Sequence, residues 1–321
     1  MKRFFTFSVF SFLTFCLMLS ACSCNREPQK FRLLYWNIQN GMWDGQNDNY
    51  DRFVEFVKGI DPDICVWCEG QSIYYTNSDS AMLPSERYLT DGWKELALRY
   101  GHKYWGVGGY RDDYPQVVTS KYPIEYVDKL IGVEPDSVVS HGCGWARLEL
   151  AGRAVNIVTL HTWPQAWKFR AEDKDSSKAL REGDWYRKME LEFICNHTIK
   201  SVPDAENQYW MMMGDFNSRS RVDNAVYQYP EDDSRFLVHD YIRDNTPYID
   251  IVNRFYNGEF VRTMPGDSRI DFIYATKPMF ESMTRAEVIS NDYTTPVRDP
   301  QELSNFWRPS DHRPIVVEFE F

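Results

Sequence analysis

Along this chain, apolar strand-like runs end repeatedly in an amide, a carboxylate or an imidazole, and no other feature limits the possible folds so strongly. Residues 31–38 form a β-rich run ending around Asn37, and residues 64–68 form a compact apolar strand that delivers Glu69. Residues 154–161 end on His161, and the apolar run 209–213 leads into Gly214-Asp215-Phe216-Asn217. Asp311 and His312 sit in a short motif ahead of a final apolar run at 315–321. Asp271 is placed differently, between Ile270 and Phe272 inside a strand pattern. A carboxylate there must be paired or ligated, because burying an isolated charge is very costly.

The intervening sequence fills in a layered architecture. Phe53, Phe56, Val57 and Ile60 recur at the spacing of a helix face, and Asp61-Pro62 ends that helix. Trp93, Leu96, Ala97 and Tyr100 make a second stripe, stopped at Gly101. Strands are expected at 116–119 and 144–150, the latter turning at Ala151-Gly152 into 154–161 as a hairpin. Residues 185–199 read as a third helix with Leu191, Ile194, Cys195 and Thr198 on one face. Further strands fall at 269–275, 286–289 and 315–321. Strands with alternating faces and a few helices between them predict two packed sheets with helices outside. The polar stretches 163–184 and 218–245 read as long irregular loops that flank the motif strands and shape a substrate mouth.

No Gly/Ser-rich linker, charge block or repeat divides the chain, so residues 31–321 are expected to form one domain. The first residues read as an address. Lys2 and Arg3 precede an apolar, Phe-rich segment from 4 to 19, rather short for a membrane span. Leu19-Ser20-Ala21-Cys22 resembles a bacterial lipobox, which implies a signal peptide of residues 1–21, acylation of Cys22 and a tether over 22–30. The expected product is an exported cell-envelope lipoprotein, attached to the membrane by its N-terminal lipid and otherwise monomeric. Cys65 and Cys68 form a CxxC only on paper, since residues three apart on a strand point to opposite faces. They read as buried small hydrophobes. The formal charge of −11 is a poor match to a non-specific nucleic-acid binder, which relies on Lys and Arg to neutralise phosphates. A carboxylate-rich site can meet a phosphate through a metal ion, so a nuclease is not excluded.

The strand-end residues form a coherent chemical kit. A hard divalent cation takes oxygen ligands, and Mg²⁺ typically uses one or two carboxylates with waters and substrate phosphate. Glu69 is the foremost candidate ligand, with Asn37 and Asp311 as further oxygen donors. Phosphate-ester hydrolysis also needs a base for the attacking water and stabilisation of charge on the non-bridging oxygens. Asp311-His312, followed by Pro314, places a carboxylate beside an imidazole on a stiff turn.

Trp36-Asn37-Ile38, Pro62-Asp63-Ile64 through Glu69, residues 117–124, Leu160-His161, residues 214–218, residues 269–273 and Ser310-Asp311-His312-Arg313-Pro314 resemble, in order, the motifs of the endonuclease/exonuclease/phosphatase superfamily. The resemblance runs from about residue 31 to 321 and implies a four-layer α/β/β/α sandwich, an α+β fold of two mainly antiparallel sheets flanked by helices. It implies that Glu69 binds Mg²⁺ (or Mn²⁺), assisted by Asn37 and Asp311. His312 then acts as general base oriented by Asp271, while Asp215 and Asn217 position the water and the phosphate. His161 is similar to the histidine by which the secreted deoxyribonuclease and sphingomyelinase branches stabilise the phosphorane or protonate the leaving group.

The expected activity is metal-dependent hydrolysis of a phosphate ester, foremost as a phosphodiesterase or nuclease. A phosphomonoesterase of sugar or inositol phosphates is the alternative, and a non-catalytic binding lipoprotein on the same fold the reading from another class. Arg111, Trp163 and Lys168 are candidate substrate contacts. The cations after His161 are interleaved with acidic residues and make no clean phosphate track. His102, His141, His197 and His239 lack such context and read as structural or exposed.

Overall fold

Strand β1 (Lys30–Asn37) shows how the layers arise. Leu33 and Tyr35 point to one side and Leu34 and Trp36 to the other, and all four are fully buried. A strand covered on both faces lies in a sheet with a layer packed against each side. On the outer side, Trp36 joins Cys65 and Trp67 of β2 (Ile64–Cys68) in a cluster with Phe53 and Val57 of helix α1 (Asp51–Ile60). Trp93 and Leu96 of α2 (Trp93–Arg99) complete that cluster. On the inner side, Leu33, Tyr35 and Val66 meet Val155, Ile157, Met211 and Met213 of a second sheet. The far face of that sheet, with Leu160, Trp210, Met212 and Phe272, is covered by Leu191 and Ile194 of α3 (Glu182–His197) and by Val238 and Ile242 of α4 (Leu237–Asn245). The result is the α/β/β/α sandwich.

The computed structural model describes residues 27–74, 80–87, 89, 92–131 and 138–321. The expected signal peptide and Cys22 lie outside the described residues. Among the described residues no helix is long and apolar enough to cross a membrane.

The remaining strands are β3 (Tyr104–Val107), β4 (Val117–Ser120), β5 (Glu125–Leu130), β6 (Cys143–Leu150), β7 (Arg153–His161), β8 (Tyr209–Asp215), β9 (Ile249–Asp250), β10 (Asp271–Ala275), β11 (Met283–Val288) and β12 (Ile315–Glu320). The first sheet runs β11-β12-β1-β2-β4-β3 and the second β5-β6-β7-β8-β10-β9. Among the described residues only the central pairs β1/β2 and β7/β8 are parallel, so both sheets are mixed and mainly antiparallel.

Sequence periodicity misses β3, β5 and β9, and each of them is a sheet edge. Edge strands keep one side in water, so their residues carry little of the apolar alternation that marks a strand. The stretches expected as irregular loops are more ordered than their polarity implies. Residues 163–184 contain a helix at Lys174–Ala179, and residues 218–245 contain α4, on which Val238, Tyr241 and Ile242 make a buried face. Cys65 and Cys68 are free, buried and on opposite faces of β2.

Candidate active site

Strand register brings the motif residues to one end of the sandwich. The parallel pairing of β1 with β2 sets Asn37 opposite Cys68, so Asn37 and Glu69 leave the first sheet together. In the second sheet His161 lies opposite Asp215 across β7/β8, and Asp215 lies opposite Asp271 across β8/β10. Three functional side chains therefore stand in a row. β12 runs antiparallel to β1 with Ile315 opposite Tyr35, which brings the preceding turn, with Asp311 and His312, beside Asn37. That turn is fastened to β1: Ser310 Oγ donates to the Asn37 carbonyl at 2.8 Å, and Trp36 Nε1 donates to the His312 carbonyl at 2.9 Å.

The buried charge of Asp271 has the partners it requires. One carboxylate oxygen accepts from Tyr35 Oη at 2.8 Å and the other lies 2.7 Å from His312 Nδ1. With Nδ1 engaged, Nε2 of His312 faces the carboxylates of Asp215 and Asp311, each at 3.7 Å. Asn37 Nδ2 donates at 3.2 Å to both Glu69 Oε1 and Asp215 Oδ2, bridging the two sheets. The Asn40 amide donates to Glu69 Oε2 at 3.1 Å. Asp215 Oδ1 accepts from the Asn217 amide at 2.9 Å, and Asn217 Nδ2 donates to the Thr162 carbonyl at 3.0 Å. His161 Nε2 is 3.7 Å from Asp215 Oδ2.

The electrostatics follow from burial and crowding. Burial pushes Asp215 well up, partly opposed by His312 and reinforced by Asp271. Burial likewise raises Asp311, to about 6. Burial works against charge on His312, but Asp271, Asp311 and Asp215 outweigh it and hold the imidazole well above its ordinary value. Burial lowers His161, with His141 and His312 adding to the effect.

Such an excess of carboxylate in a low-dielectric setting is what a bound cation relieves. Glu69, His161 and Asp215 each offer a ligand atom, and these atoms all lie within 4.8 Å of one another. The donor set therefore fits a divalent ion. Asn37 turns its amide nitrogen toward the carboxylates and its oxygen toward the Gln39 amide, 3.1 Å away, so here it orients the acidic ligands.

The cavity over these groups has a volume of about 350 Å³ and is lined by Glu69, His161, Asp215, Asn217, Asp311 and His312. Trp163 also lines it, whereas Arg111 and Lys168 do not. Lys168 borders a neighbouring depression with Phe169 and Arg170. Of the polar stretches 163–184 and 218–245, Trp163, Pro164 and Gln165 reach the cavity. Sequence reasoning missed Gln39, Asn40, Tyr114, His141 and Asn305, all of which line it. His141 corrects a specific expectation: it is no remote structural histidine but stacks on His161 with ring centroids 4.5 Å apart. The other three stand as read, with His102 and His239 buried in hydrogen bonds and His197 exposed.

Comparison with known proteins agrees with this architecture. No curated protein matches the chain by sequence. Among solved structures, an AP endonuclease from Archaeoglobus fulgidus superposes with a TM-score of 0.56 at 17% identity, covering 90% of this chain and 99% of the other. An endonuclease/exonuclease/phosphatase from Beutenbergia cavernae gives 0.58 at 16% identity, covering 91% and 72%. A mannosyl-6-phosphatase from Bacteroides thetaiotaomicron gives 0.53 at 14% identity, covering 91% and 100%. At such identities the likeness establishes the fold. A sequence model of the Endonuclease/Exonuclease/phosphatase family matches residues 34–312, so the chain belongs to the endonuclease/exonuclease/phosphatase family of phosphoesterases.

Proposed function

We propose that this protein is an exported, lipid-anchored, divalent-metal-dependent hydrolase of small phosphate esters, with phosphorylated sugars or similar polyols as the class that suits its cavity best. The observation that carries the substrate class is the lining. Among the described residues it holds no lysine or arginine, and instead is lined by the amide residues Asn40, Gln165 and Asn305 beside Trp163, with the side chains of Gln39 and Asn217 held by Asn305, Trp307 and Thr162. A polyanionic strand is held chiefly by cations. Side-chain amides and an aromatic face suit a compact ligand rich in neutral hydroxyls. The fold shared with a mannosyl-6-phosphatase is in keeping with this, and the one shared with an AP endonuclease supports the nuclease reading.

The roles divide as follows. Glu69 and Asp215, oriented by Asn37 and with Asp311 lining the same cavity, would hold the cation, which would supply charge neutralisation to the phosphoryl oxygens when bound. With a cation offsetting the carboxylates that otherwise keep the ring protonated, His312 would receive the proton of the attacking water through Nε2, and Asp271 on Nδ1 fixes the tautomer and compensates the charge that forms. Asp215 and Asn217 orient the water and the phosphate from the same turn. His161, on the far side of Asp215, is placed to serve the leaving group.

Hydrolysis of hexose 6-phosphates, inositol phosphates, bis-p-nitrophenyl phosphate and a single-stranded oligonucleotide, compared by kcat/KM, tests the substrate class. The monoesters should lead by at least about tenfold, roughly 1.4 kcal/mol of transition-state preference. An oligonucleotide cleaved faster than every small ester would overturn that choice. Export and anchoring rest on the sequence around Cys22. Metabolic labelling with palmitate should mark the protein and fail on Cys22→Ser, and equal labelling of the two would refute acylation at that cysteine.

A further inference from the structure

We propose that His141 is a substrate-contacting residue of this cavity, a second carboxylate-backed imidazole whose Nε2 donates a hydrogen bond to the phosphoryl group; the inference rests on the phosphoesterase reading above. His141 is only 4% exposed, lines the cavity, and has no hydrogen-bond partner on either ring nitrogen. Nδ1 faces the Asp113 carboxylate at 3.4 Å, which leaves Nε2 as the unengaged atom. Buried polar groups are almost always satisfied, and an orphan in a binding cavity points to a partner that arrives with the ligand.

The other buried histidines supply the contrast. His102 lies 2.9 Å from Thr119 Oγ1 through one nitrogen and 2.9 Å from the Pro62 carbonyl through the other. His239 lies 2.8 Å from Tyr274 Oη through Nδ1, while its Nε2 is unpartnered but lies away from the His141 cavity. Those rings are tied into the core, and His141 is not.

Its position is nonetheless fixed. Glu190, fully buried on α3, accepts from the Ser140 amide at 2.8 Å and from Ser140 Oγ at 2.6 Å. The same carboxylate accepts from the Trp163 amide at 2.9 Å, so one helix residue anchors both loops that wall the cavity. The His141 carbonyl accepts from the Tyr110 amide at 3.2 Å. Next to it Gly142 adopts φ +73°, and a Cβ there would meet the Tyr110 nitrogen at 2.7 Å. The His141 ring packs nearly parallel to His161, at 25°, and edge-on to Tyr114. A donor held this firmly before the ligand arrives needs no reordering on binding.

The test uses the full chain with Mg²⁺ present and His141→Phe, which keeps a ring in the stack but removes the donor. His141→Gln restores a donor, and Asp113→Asn leaves the imidazole in place while removing its backing charge. Two readouts are taken: kcat and KM on p-nitrophenyl phosphate, and calorimetric binding of inorganic phosphate. His141→Phe should lose about 10- to 100-fold in kcat/KM and a comparable factor in phosphate affinity, the scale of a charge-assisted hydrogen bond. His141→Gln should recover part of both, and Asp113→Asn should lose less than His141→Phe. Wild-type phosphate affinity in a folded His141→Phe overturns the proposal, and so does His141→Gln no better than His141→Phe. Should His141→Phe fail to fold, unchanged phosphate affinity in both His141→Gln and Asp113→Asn overturns it as well. If wild type turns over no ester, the phosphoesterase reading fails, and phosphate binding that depends on His141 still separates that failure from this one.

Discussion

Asp271→Asn is the substitution that most cleanly isolates the imidazole's partner. The carboxylate is fully buried and serves two groups, His312 Nδ1 at 2.7 Å and Tyr35 Oη at 2.8 Å. An asparagine side chain has nearly the same shape but a single acceptor oxygen. If that oxygen keeps the Tyr35 hydroxyl, the amide nitrogen faces Nδ1 and forces the proton onto Nε2, the wrong tautomer for accepting from water. The lost charge-assisted bond is worth roughly 1.5–3 kcal/mol. Tautomer reversal in a comparable His–carboxylate pair brings the total cost to about four orders of magnitude in kcat. The expected loss of kcat on p-nitrophenyl phosphate is therefore about 10²- to 10⁴-fold, roughly 3–5 kcal/mol. Stability should change little, because the variant removes a buried charge while keeping the volume, and the melting temperature should move by only a few degrees. Tyr35→Phe removes the other donor and should cost about tenfold or less in kcat. An Asp271→Asn protein that melts like wild type and turns over within threefold of it would refute the role assigned to this pair.

Two further outcomes follow from the same geometry. Mg²⁺ or Mn²⁺ should raise the melting temperature of the wild-type protein, by up to about 2.7 kcal/mol of stabilisation at a hundred times Kd, and Glu69→Gln should abolish most of that rise; a shift that survives in Glu69→Gln would remove Glu69 from the ligand set. Burial raises Glu190 from its ordinary 4.5 to about 6, although Ser140 and the Trp163 amide favour its charged form. A folded-state value raised in this way gives stability that is full below about pH 4.5 and is lost as pH rises through 6, a change of about 2 kcal/mol. Denaturant unfolding of wild type and Glu190→Gln at pH 4.5 and pH 7 should show wild type losing ground by that amount, and a pH-independent gap would refute the assignment.

The sequence makes the site legible where chemistry sits on a strand. Asn37, Glu69, His161 and Asp215 follow apolar runs that must be buried, so a polar residue at the end of each run is conspicuous, and the pairing register then aligns them. Asp271 is conspicuous for another reason, a carboxylate between Ile270 and Phe272 that the structure places as the first residue of β10, and Tyr35 and His312 account for it. Legibility fails where position depends on contacts between distant segments. His141 follows no apolar run, and contacts from distant segments, Glu190 through Ser140 and Tyr110 through the His141 carbonyl, place it against His161. Gln39, Asn40 and Asn305 reach the cavity from loops whose course no local pattern dictates. The two flanking glycines, Gly142 and Gly144, are the signal that could have found His141, because both mark close backbone approaches to Gly109 and Gly108. The edge strands escape notice for want of apolar alternation, whereas the buried face of α4 was readable at Val238, Tyr241 and Ile242 but is hidden among charged neighbours.

Metal-dependent hydrolysis at this cavity is tested by measuring turnover of p-nitrophenyl phosphate and bis-p-nitrophenyl phosphate by the purified protein with Mg²⁺, with Mn²⁺ and with EDTA, beside His312→Ala. Turnover of at least one ester should require the divalent ion and fall by at least about 10³-fold in the variant, some 4 kcal/mol. Turnover that persists in EDTA or in a folded His312→Ala protein would contradict it, placing the activity outside the cavity where Asp271, His312 and Asp215 converge.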